Sequence, residues 1–182
     1  FSVGLASLGI NREYSMYSAA DDDYLDFLIR VVPDGVVSPW LAKCKVGDQV
    51  EIGGPYGDFC LIEEQLKSNE YVFIATGTGI APFHSFVKSF PSLKYQIYHG
   101  VRREDEQYDR NHYAPDRYVA AVSRPILGTS RSERVTDLLE KANLKDDYLY
   151  YLCGNQKMIT DTIALLLARG IPGGSIFTET FF

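Results

Sequence analysis

The chain has 182 residues, of which 46% are hydrophobic and 23% are charged, so it has enough apolar surface to bury a core, and its composition argues against intrinsic disorder. No apolar run approaches the roughly 20 residues that a membrane-spanning helix needs. The net charge of −6 argues against nonspecific binding to nucleic acid or to an anionic membrane.

Residues 1–68 predict a small antiparallel barrel or sandwich, because short strand-like pieces alternate with turns rich in Gly, Asp and Pro. Strands are predicted over residues 12–15, 24–32 and 49–52, and a short helix over residues 38–41. These residues include five Lys and Arg against eleven Asp and Glu, whereas residues 69–182 include thirteen of each. This shift near residue 68 predicts a boundary between two domains.

Residues 69–182 predict an α/β domain with a doubly wound parallel sheet, because apolar strand runs alternate with helical stretches. Strands are predicted over residues 71–75, 95–99, 118–122, 148–153 and 176–178. Helices are predicted over residues 82–89, 135–142 and 158–168, and Gly170 closes the last of them. In such sheets the ligand lies at the carboxyl ends of the strands.

The cysteines and histidines are few and are scattered along the chain. An odd number of cysteines without a Cys-x-x-Cys pair predicts neither a disulfide scaffold nor a cysteine zinc site. Reduced thiols and the absence of a visible signal peptide favour a cytoplasmic protein. The spread of the histidines leads us to expect no bound metal. The cysteines are Cys44, Cys60 and Cys153, and the histidines are His84, His99 and His112.

A glycine loop follows the first predicted strand of the second domain and reads Thr-Gly-Thr-Gly-Ile-Ala-Pro over residues 76–82. Glycines let the backbone approach a phosphate closely, and the following helix offers unpaired N–H groups. Pro82 suits a first helical turn, where no N–H is needed. It also stands where the dinucleotide fingerprint Gly-x-Gly-x-x-Gly has its third glycine, so a tight turn without a ligand is the alternative.

Ser123 and Arg124 follow the third predicted strand of this domain. In a dinucleotide-binding domain this position faces the adenosine ribose, where an acid favours NAD and cations favour NADP. Ser123 can donate a hydrogen bond and Arg124 can form a charge-assisted fork with a phosphate. Arg134 is a second candidate cation. The alternative for each arginine is a solvated surface side chain.

Residues 12–15 read Arg-Glu-Tyr-Ser. On a strand, Arg12 and Tyr14 share one face and Ser15 lies on the other. A cation beside an aromatic ring suits a ligand that carries both a phosphate and a flat ring. An ordinary exposed strand is the alternative.

These motifs, in this order, resemble those of the ferredoxin–NADP reductase family, bacterial type. Residues 76–83 are similar to the nucleotide loop of the family, and residues 12–15 are similar to its Arg-x-Tyr-Ser flavin motif. The resemblance implies an antiparallel FAD-binding β-barrel followed by an NADP-binding α/β domain. Barrels of this family begin with strands well upstream of the flavin motif, so the resemblance also implies that the barrel is incomplete in this chain.

For FAD, the resemblance implies that Arg12 holds the pyrophosphate, that Tyr14 packs on the isoalloxazine and that Ser15 lies near flavin N5. Residues 35–38 are similar to a second phosphate-binding motif of the family. In related reductases an aromatic ring at the chain terminus covers the flavin, and Phe182 would take that position. The residues that the resemblance assigns to FAD are Arg12, Tyr14, Ser15, Gly35, Val36, Val37, Ser38 and Phe182.

For NADP, the resemblance adds a Cys-Gly-x-x-x-Met motif whose cysteine lies beside nicotinamide C4 without acting as a redox thiol. A buried cysteine that is merely a small hydrophobe is the alternative. The residues assigned to NADP are Thr78, Gly79, Ile80, Ala81, Pro82, Ser123, Arg124, Arg134, Gly154 and Met158. A carboxylate near the terminus reaches the active site in this family, so the implied catalytic residues are Ser15, Cys153 and Glu179.

The resemblance implies a flavoprotein that transfers hydride between NADPH and FAD and passes single electrons to a separate carrier, ferredoxin or flavodoxin. No plant-type cysteine run for an iron–sulfur cluster is present. Both carriers are usually acidic, so docking would depend on a local basic patch. This patch would comprise Arg12, Arg30, Lys43 and Lys45. An NADH-dependent enzyme of the cytochrome b5 reductase type and a noncatalytic nucleotide-sensing module remain as alternatives.

Overall fold

The computed structural model describes residues 2–7, 9–66, 69–126 and 132–181, which form an antiparallel sheet followed by a parallel sheet with helices. The antiparallel sheet is a partial barrel of three strands in the order β2-β1-β3. Its strands are β1 (Ser2–Ser7), β2 (Ile10–Ser15) and β3 (Glu51–Tyr56), and the short helix α1 (Val37–Leu41) lies between β2 and β3 in the chain. Val3, Leu5 and Val37 form its small buried core. The predicted antiparallel class is confirmed.

The strand predicted over residues 24–32 is wrong. Among the described residues, two backbone hydrogen bonds outside the regular elements involve this segment, from Tyr17 N–H to the carbonyl of Asp26 and, in the turn that follows it, from Gly35 N–H to the carbonyl of Val32. Phe27 packs on the core of the antiparallel sheet, whereas the next residue, Leu28, packs on the core of the parallel sheet. The apolar run therefore belongs to an extended segment between two cores. Strand β1 was not predicted, and β3 begins two residues later than predicted.

The parallel sheet has five strands in the order β6-β5-β4-β7-β8, as a doubly wound fold requires. The strands are β4 (Tyr71–Thr76), β5 (Tyr95–Val101), β6 (Tyr118–Val122), β7 (Leu149–Asn155) and β8 (Ile176–Phe181). The helices are α2 (Ala81–Ser89), α3 (Val135–Lys141) and α4 (Gln156–Ala168). The predicted elements of this domain are confirmed to within a few residues. Within the described ranges, none of the helices is both long and apolar enough to cross a bilayer.

Strand β4 lies at the centre of this sheet and is buried on both faces. Phe73 packs with Phe83 of α2 on one face, whereas Ile74 belongs to the cluster on the other face, with Leu139 of α3 and Leu166 of α4. The chain leaves β4 towards β5 on one side and later returns to β7 on the other. The switch point of the sheet is therefore at the carboxyl end of β4, where a ligand is expected.

Candidate active site

The carboxyl ends of β4 and β7 touch each other because two positions have no Cβ. A Cβ at Gly79, in the short turn Gly77–Ile80 after β4, would lie 2.4 Å from the carbonyl oxygen of Cys153. A Cβ at Gly154 would lie 2.2 Å from Thr76 Oγ1, and the φ of Gly154 is +144°. Both glycines thus permit a close backbone approach between the strand ends at the switch point, whereas their role in NADP binding stays a prediction.

Asn155 ties the same two strand ends together. Its backbone N–H and its side-chain Nδ2 donate to Thr76 Oγ1 at 3.1 and 2.9 Å. Its Oδ1 accepts from the backbone N–H of Met158 at 2.9 Å and so caps helix α4. The sequence analysis missed Asn155, although an Asn just before a helix is a recognised N-cap signal.

The buried imidazole of His99 forms a hydrogen bond with the carbonyl of Gly77 in the glycine loop. Its Nε2 lies 2.8 Å from the carbonyl oxygen of Gly77, and its Nδ1 lies 2.8 Å from the Tyr118 hydroxyl. A carbonyl can only accept, so Nε2 carries the proton and Nδ1 accepts from Tyr118. Burial lowers the pKa of His99 to about 4, so the ring is neutral near pH 7. No local pattern marks this residue, which lies within a strand.

The three predicted catalytic residues meet at one point. The Ser15 hydroxyl of β2 donates to Glu179 Oε2 of β8 at 2.9 Å, and the Cys153 thiol of β7 donates to the same oxygen at 3.7 Å. Burial and the neighbouring Glu179 carboxylate raise the pKa of Cys153 well above its usual value. The thiol therefore stays protonated near pH 7, which agrees with a cysteine that is not a redox centre.

A cleft with a volume of about 1070 Å³ lies between the two sheets, beside this cluster. It brings together most of the residues that the sequence singled out. Those on its wall are Arg12, Tyr14, Ser15, Gly35, Val36, Val37, Ser38, Thr78, Ala81, Ser123, Arg124, Arg134, Gly154, Met158 and Glu179. The buried residues Gly79, Ile80, Pro82 and Cys153 are not part of the wall. Phe182 lies outside the described residues.

On the side of the antiparallel sheet, Arg12 is exposed and its guanidinium donates to the carbonyl of its neighbour Asn11 at 2.8 Å. Burial raises the pKa of the half-buried Tyr14, and the charge of Arg12 opposes that shift. The Ser38 hydroxyl accepts from the backbone N–H of Val32 at 3.1 Å, which leaves its own proton for another acceptor. Arg12 also lines the cleft together with Arg30, so these two members of the predicted basic patch face a ligand site.

On the opposite side, Arg124 and Arg134 place exposed guanidinium groups on the cleft wall. The Ser123 hydroxyl donates to the carbonyl of Val101 at 3.2 Å. A hydroxyl has one proton to donate, so the Ser123 hydroxyl must rotate away from the carbonyl of Val101 before it can donate to a phosphate. The backbone N–H of Arg134 donates to Asp137 at 2.7 Å at the start of α3, which fixes the position from which its side chain leaves the helix.

The residues of the cleft fit a flavin dinucleotide and a nicotinamide dinucleotide. Cations lie at both ends, where the phosphates of such ligands need partners, and the Tyr14 ring lies on the wall next to Arg12. The glycine turn brings backbone groups close to the cleft between them.

Two protein-family models match the chain. The oxidoreductase FAD-binding domain matches residues 3–60, and the oxidoreductase NAD-binding domain matches residues 73–163. The two matched ranges correspond to the antiparallel sheet and to most of the parallel sheet.

Known proteins with similar sequences are reductases. The ferredoxin–NAD(P)⁺ reductase component of the naphthalene 1,2-dioxygenase/salicylate 5-hydroxylase systems of a Ralstonia species is 34% identical over 94% of this chain and 56% of that protein. The flavodoxin/ferredoxin–NADP reductase of Escherichia coli is 28% identical over 84% of this chain and 70% of that protein. The chain thus spans about half the length of the Ralstonia relative.

Among solved structures, a ferredoxin–NADP⁺ reductase from Neisseria gonorrhoeae with bound FAD and NADP superposes with a TM-score of 0.81. It is 26% identical, and the match covers all of this chain and 85% of that one. The superposition covers both sheets of the chain and therefore the cleft between them.

Proposed function

Because the chain belongs to the ferredoxin–NADP reductase family of FAD- and NAD(P)-binding oxidoreductases, we propose that it is an NADPH-dependent flavoprotein reductase that donates electrons to a separate carrier. In this proposal residues 1–68 bind FAD and residues 69–182 bind NADP. The observation that carries it is the cluster of Ser15, Cys153 and Glu179, which joins both sheets at the edge of one cleft. Bound FAD would supply the redox chemistry, accepting a hydride and releasing electrons one at a time.

We propose that the chain's own residues position the bound cofactors. Glu179 is held by hydrogen bonds from Ser15 and Cys153, so its carboxylate has a fixed orientation towards the cleft. Polar groups fixed in this way would help to align a flavin and a nicotinamide bound in the cleft, and alignment alone can lower a reaction barrier by several kcal/mol. The nonionised Cys153 thiol is buried behind the cleft wall, from where it donates to Glu179 Oε2.

We propose NADP rather than NAD as the nicotinamide cofactor. The end of β6 carries Ser123 and Arg124 in place of the acid that NAD-binding sites use for the ribose hydroxyls, and Arg134 lies on the same wall. Two guanidinium groups favour a ligand with an additional phosphate. The name of the Ralstonia relative covers both NAD and NADP, so it leaves this choice to experiment.

We propose a ferredoxin or a flavodoxin as the electron acceptor and the cytoplasm as the location. Relatives named for ferredoxin or flavodoxin support this acceptor class. Three free cysteines fit a reducing compartment. With Arg12 and Arg30 on the cleft wall, the exposed Lys43 and Lys45 remain from the predicted patch to attract an acidic carrier.

The test is a cofactor-preference assay on purified protein, with an artificial electron acceptor and with flavin absorbance recorded. We expect a yellow protein that NADPH bleaches. Arg124→Ala is expected to raise the KM for NADPH about 10- to 100-fold, the value of a lost charge-assisted hydrogen bond, and to leave the KM for NADH unchanged. Arg103→Ala is the matched control, because Arg103 is an exposed arginine whose partner is Asp105 and which does not line the cleft.

Each alternative predicts a different result. Equal use of NADH and NADPH by the unaltered protein, with no effect of Arg124→Ala, would contradict the NADP assignment, and a clear preference for NADH would support the cytochrome b5 reductase type. A yellow protein that neither nucleotide bleaches would support a noncatalytic sensing module.

A further inference from the structure

A cluster of two histidines and one aspartate surrounds Tyr17, away from the cleft. The ligand atoms of His84, Asp109 and His112 all lie within 4.8 Å of one another. His84 Nε2 and His112 Nδ1 are 2.9 Å apart. None of the three residues lines the cleft. The sequence analysis expected no metal because the histidines are scattered, but the fold brings two of the three into contact.

The tautomer of His84 suits it to bind a metal. Its Nδ1 lies 2.7 Å from the carbonyl oxygen of Tyr17, so Nδ1 carries the proton. The lone pair of His84 is therefore on Nε2, which points towards His112. A hydrogen bond from the remote ring nitrogen to a carbonyl is the usual support of a histidine that binds a metal.

We propose that His84 Nε2, His112 Nδ1 and the Asp109 carboxylate bind a divalent transition metal, for which Zn²⁺ is the natural candidate. Two imidazoles and a carboxylate are a typical zinc ligand set, with water in the fourth position. With Zn–N bonds of about 2.0–2.1 Å in a tetrahedral site, the two ring nitrogens would lie about 3.3 Å apart. They need to separate by only a few tenths of an ångström.

The two outer ligands are accessible. Asp109 and His112 are exposed, whereas His84 is buried, so an ion can enter from solvent and settle against the buried ring. In the metal-free state the His112 Nδ1–H donates to His84 Nε2. Since His112 is exposed, the proton can exchange with solvent and move to its other nitrogen, which frees Nδ1 for the metal.

Tyr17 supports the site from three directions. Its carbonyl accepts from His84, its hydroxyl donates to Asp109 Oδ2 at 2.7 Å, and its ring stacks on the His84 ring with centroids 3.7 Å apart. A single residue thus orients two ligands. The nearby cation Lys88 is paired with Asp22 at 2.6 Å, which reduces its repulsion of a bound ion.

The site would link segments that are distant in the sequence. His84 belongs to α2, Asp109 precedes the short turn Arg110–His112 and His112 ends it, and Tyr17 follows β2 of the antiparallel sheet. A metal at this point would hold the first segment of the chain against the parallel sheet. We therefore expect Zn²⁺ to raise the melting temperature of the protein.

The experiment is a calorimetric titration of the untagged, flavin-loaded protein with Zn²⁺, with melting curves recorded alongside and Co²⁺ used as a spectroscopic probe. We expect one Zn²⁺ per chain, a rise in melting temperature, and Co²⁺ d–d bands without a thiolate charge-transfer band. His112→Ala and Asp109→Asn change exposed ligands, so folding is expected to survive, and each is expected to weaken Zn²⁺ binding by more than about 100-fold, beyond the loss typical of a supporting residue.

Two further variants sharpen the result. Tyr17→Phe removes the hydrogen bond to Asp109 but keeps the stacked ring, and it is expected to weaken binding about 10- to 100-fold. Asp116→Asn removes an exposed acid outside the cluster and is expected to have no effect. No binding by the unaltered protein, equal binding by His112→Ala, or a thiolate band from Co²⁺ would each overturn the proposal. None of these readouts depends on reductase activity.

Discussion

The two sheets of the molecule differ in how deeply their strands are buried. In the parallel sheet, the central strands β4 and β7 bury all but one residue each. In the antiparallel sheet, β3 exposes five of its six residues and β2 exposes three of six. The parallel sheet therefore contains most of the buried apolar surface, whereas both halves of the molecule contribute side chains to the cleft.

This difference explains where most of the stability of the molecule lies. Hydrophobic stabilisation scales with the apolar area removed from water, so it is concentrated around β4 and β7. In the antiparallel half, the cleft residues Arg12 and Tyr14 are exposed or half-exposed, so a ligand can reach them. Glu179 connects the two regions, since its oxygen accepts hydrogen bonds from β2 and from β7.

Truncating equivalent apolar side chains in the two sheets is the strongest test of this comparison. Phe73 is fully buried and stacks on Phe83 at 4.7 Å, so Phe73→Ala is expected to lower the free energy of unfolding by about 3–5 kcal/mol. Ile52 of β3 is 48% exposed, so Ile52→Ala is expected to change it by less than about 0.5 kcal/mol. Urea denaturation followed by circular dichroism measures both. Equal losses would show that the antiparallel sheet contributes as much as the parallel one.

The second test is at the contact between the strand ends. Gly154→Ala places a Cβ 2.2 Å from Thr76 Oγ1 at a φ of +144°, so it combines overpacking with backbone strain and is expected to cost about 3–4 kcal/mol. Gly173→Ala is the matched control, because a Cβ there meets nothing within 4 Å. Urea denaturation of both variants checks the prediction. A Gly154→Ala protein as stable as the control would contradict the tight contact at the switch point.

The difference between the two sheets also explains which elements the sequence could predict. Buried strands such as 71–76 read as short continuous apolar runs bounded by turns, and this signal is local. The run at 24–32 is also apolar but is interrupted by Asp26 and Arg30, and its neighbouring residues Phe27 and Leu28 pack on different cores, which is a tertiary property that its local pattern does not reveal. Strand β1 was missed because its pairing with β2 and β3 is a tertiary property.

The candidate site shows a similar limit. Motif residues such as Gly79 and Arg124 were singled out because the family resemblance depends on short contiguous sequence motifs. His99, Asn155 and the contact between His84 and His112 depend on distances that only the fold creates. The meeting of Ser15 with Glu179, 164 residues apart, followed from the family resemblance and not from composition or periodicity.

The third test uses the buried imidazole of the parallel sheet. His99 has a pKa of about 4 in the folded protein and 6.5 when unfolded, so above pH 6.5 both states are neutral. As the pH falls from 6.5 to 4, the unfolded chain binds a proton that the folded protein does not, and stability decreases by about 3 kcal/mol. His99→Gln is expected to remove that part of the decrease. Unfolding free energies at pH 7 and pH 4 measure it.

His84, whose pKa burial also lowers, contributes in the same direction, so the variant retains some pH dependence. The difference between the two proteins isolates His99. Identical pH profiles of the two proteins would show that His99 is not held neutral against the carbonyl of Gly77.

The smallest expected effect concerns the antiparallel half. Ser38→Ala leaves the backbone N–H of Val32 without its 3.1 Å acceptor, and because Val32 is 47% exposed, water compensates in part. We expect the free energy of unfolding of the flavin-free protein to fall by about 1 kcal/mol, as measured by urea denaturation. Ser175→Ala, at a turn on the opposite half, is the control. If Ser38 also binds the FAD pyrophosphate, the flavin-loaded variant loses more than the flavin-free one, because its hydroxyl proton then has a second partner. An unchanged flavin-free stability would show that the Val32 contact contributes nothing, and equal losses in both forms would remove Ser38 from the flavin site.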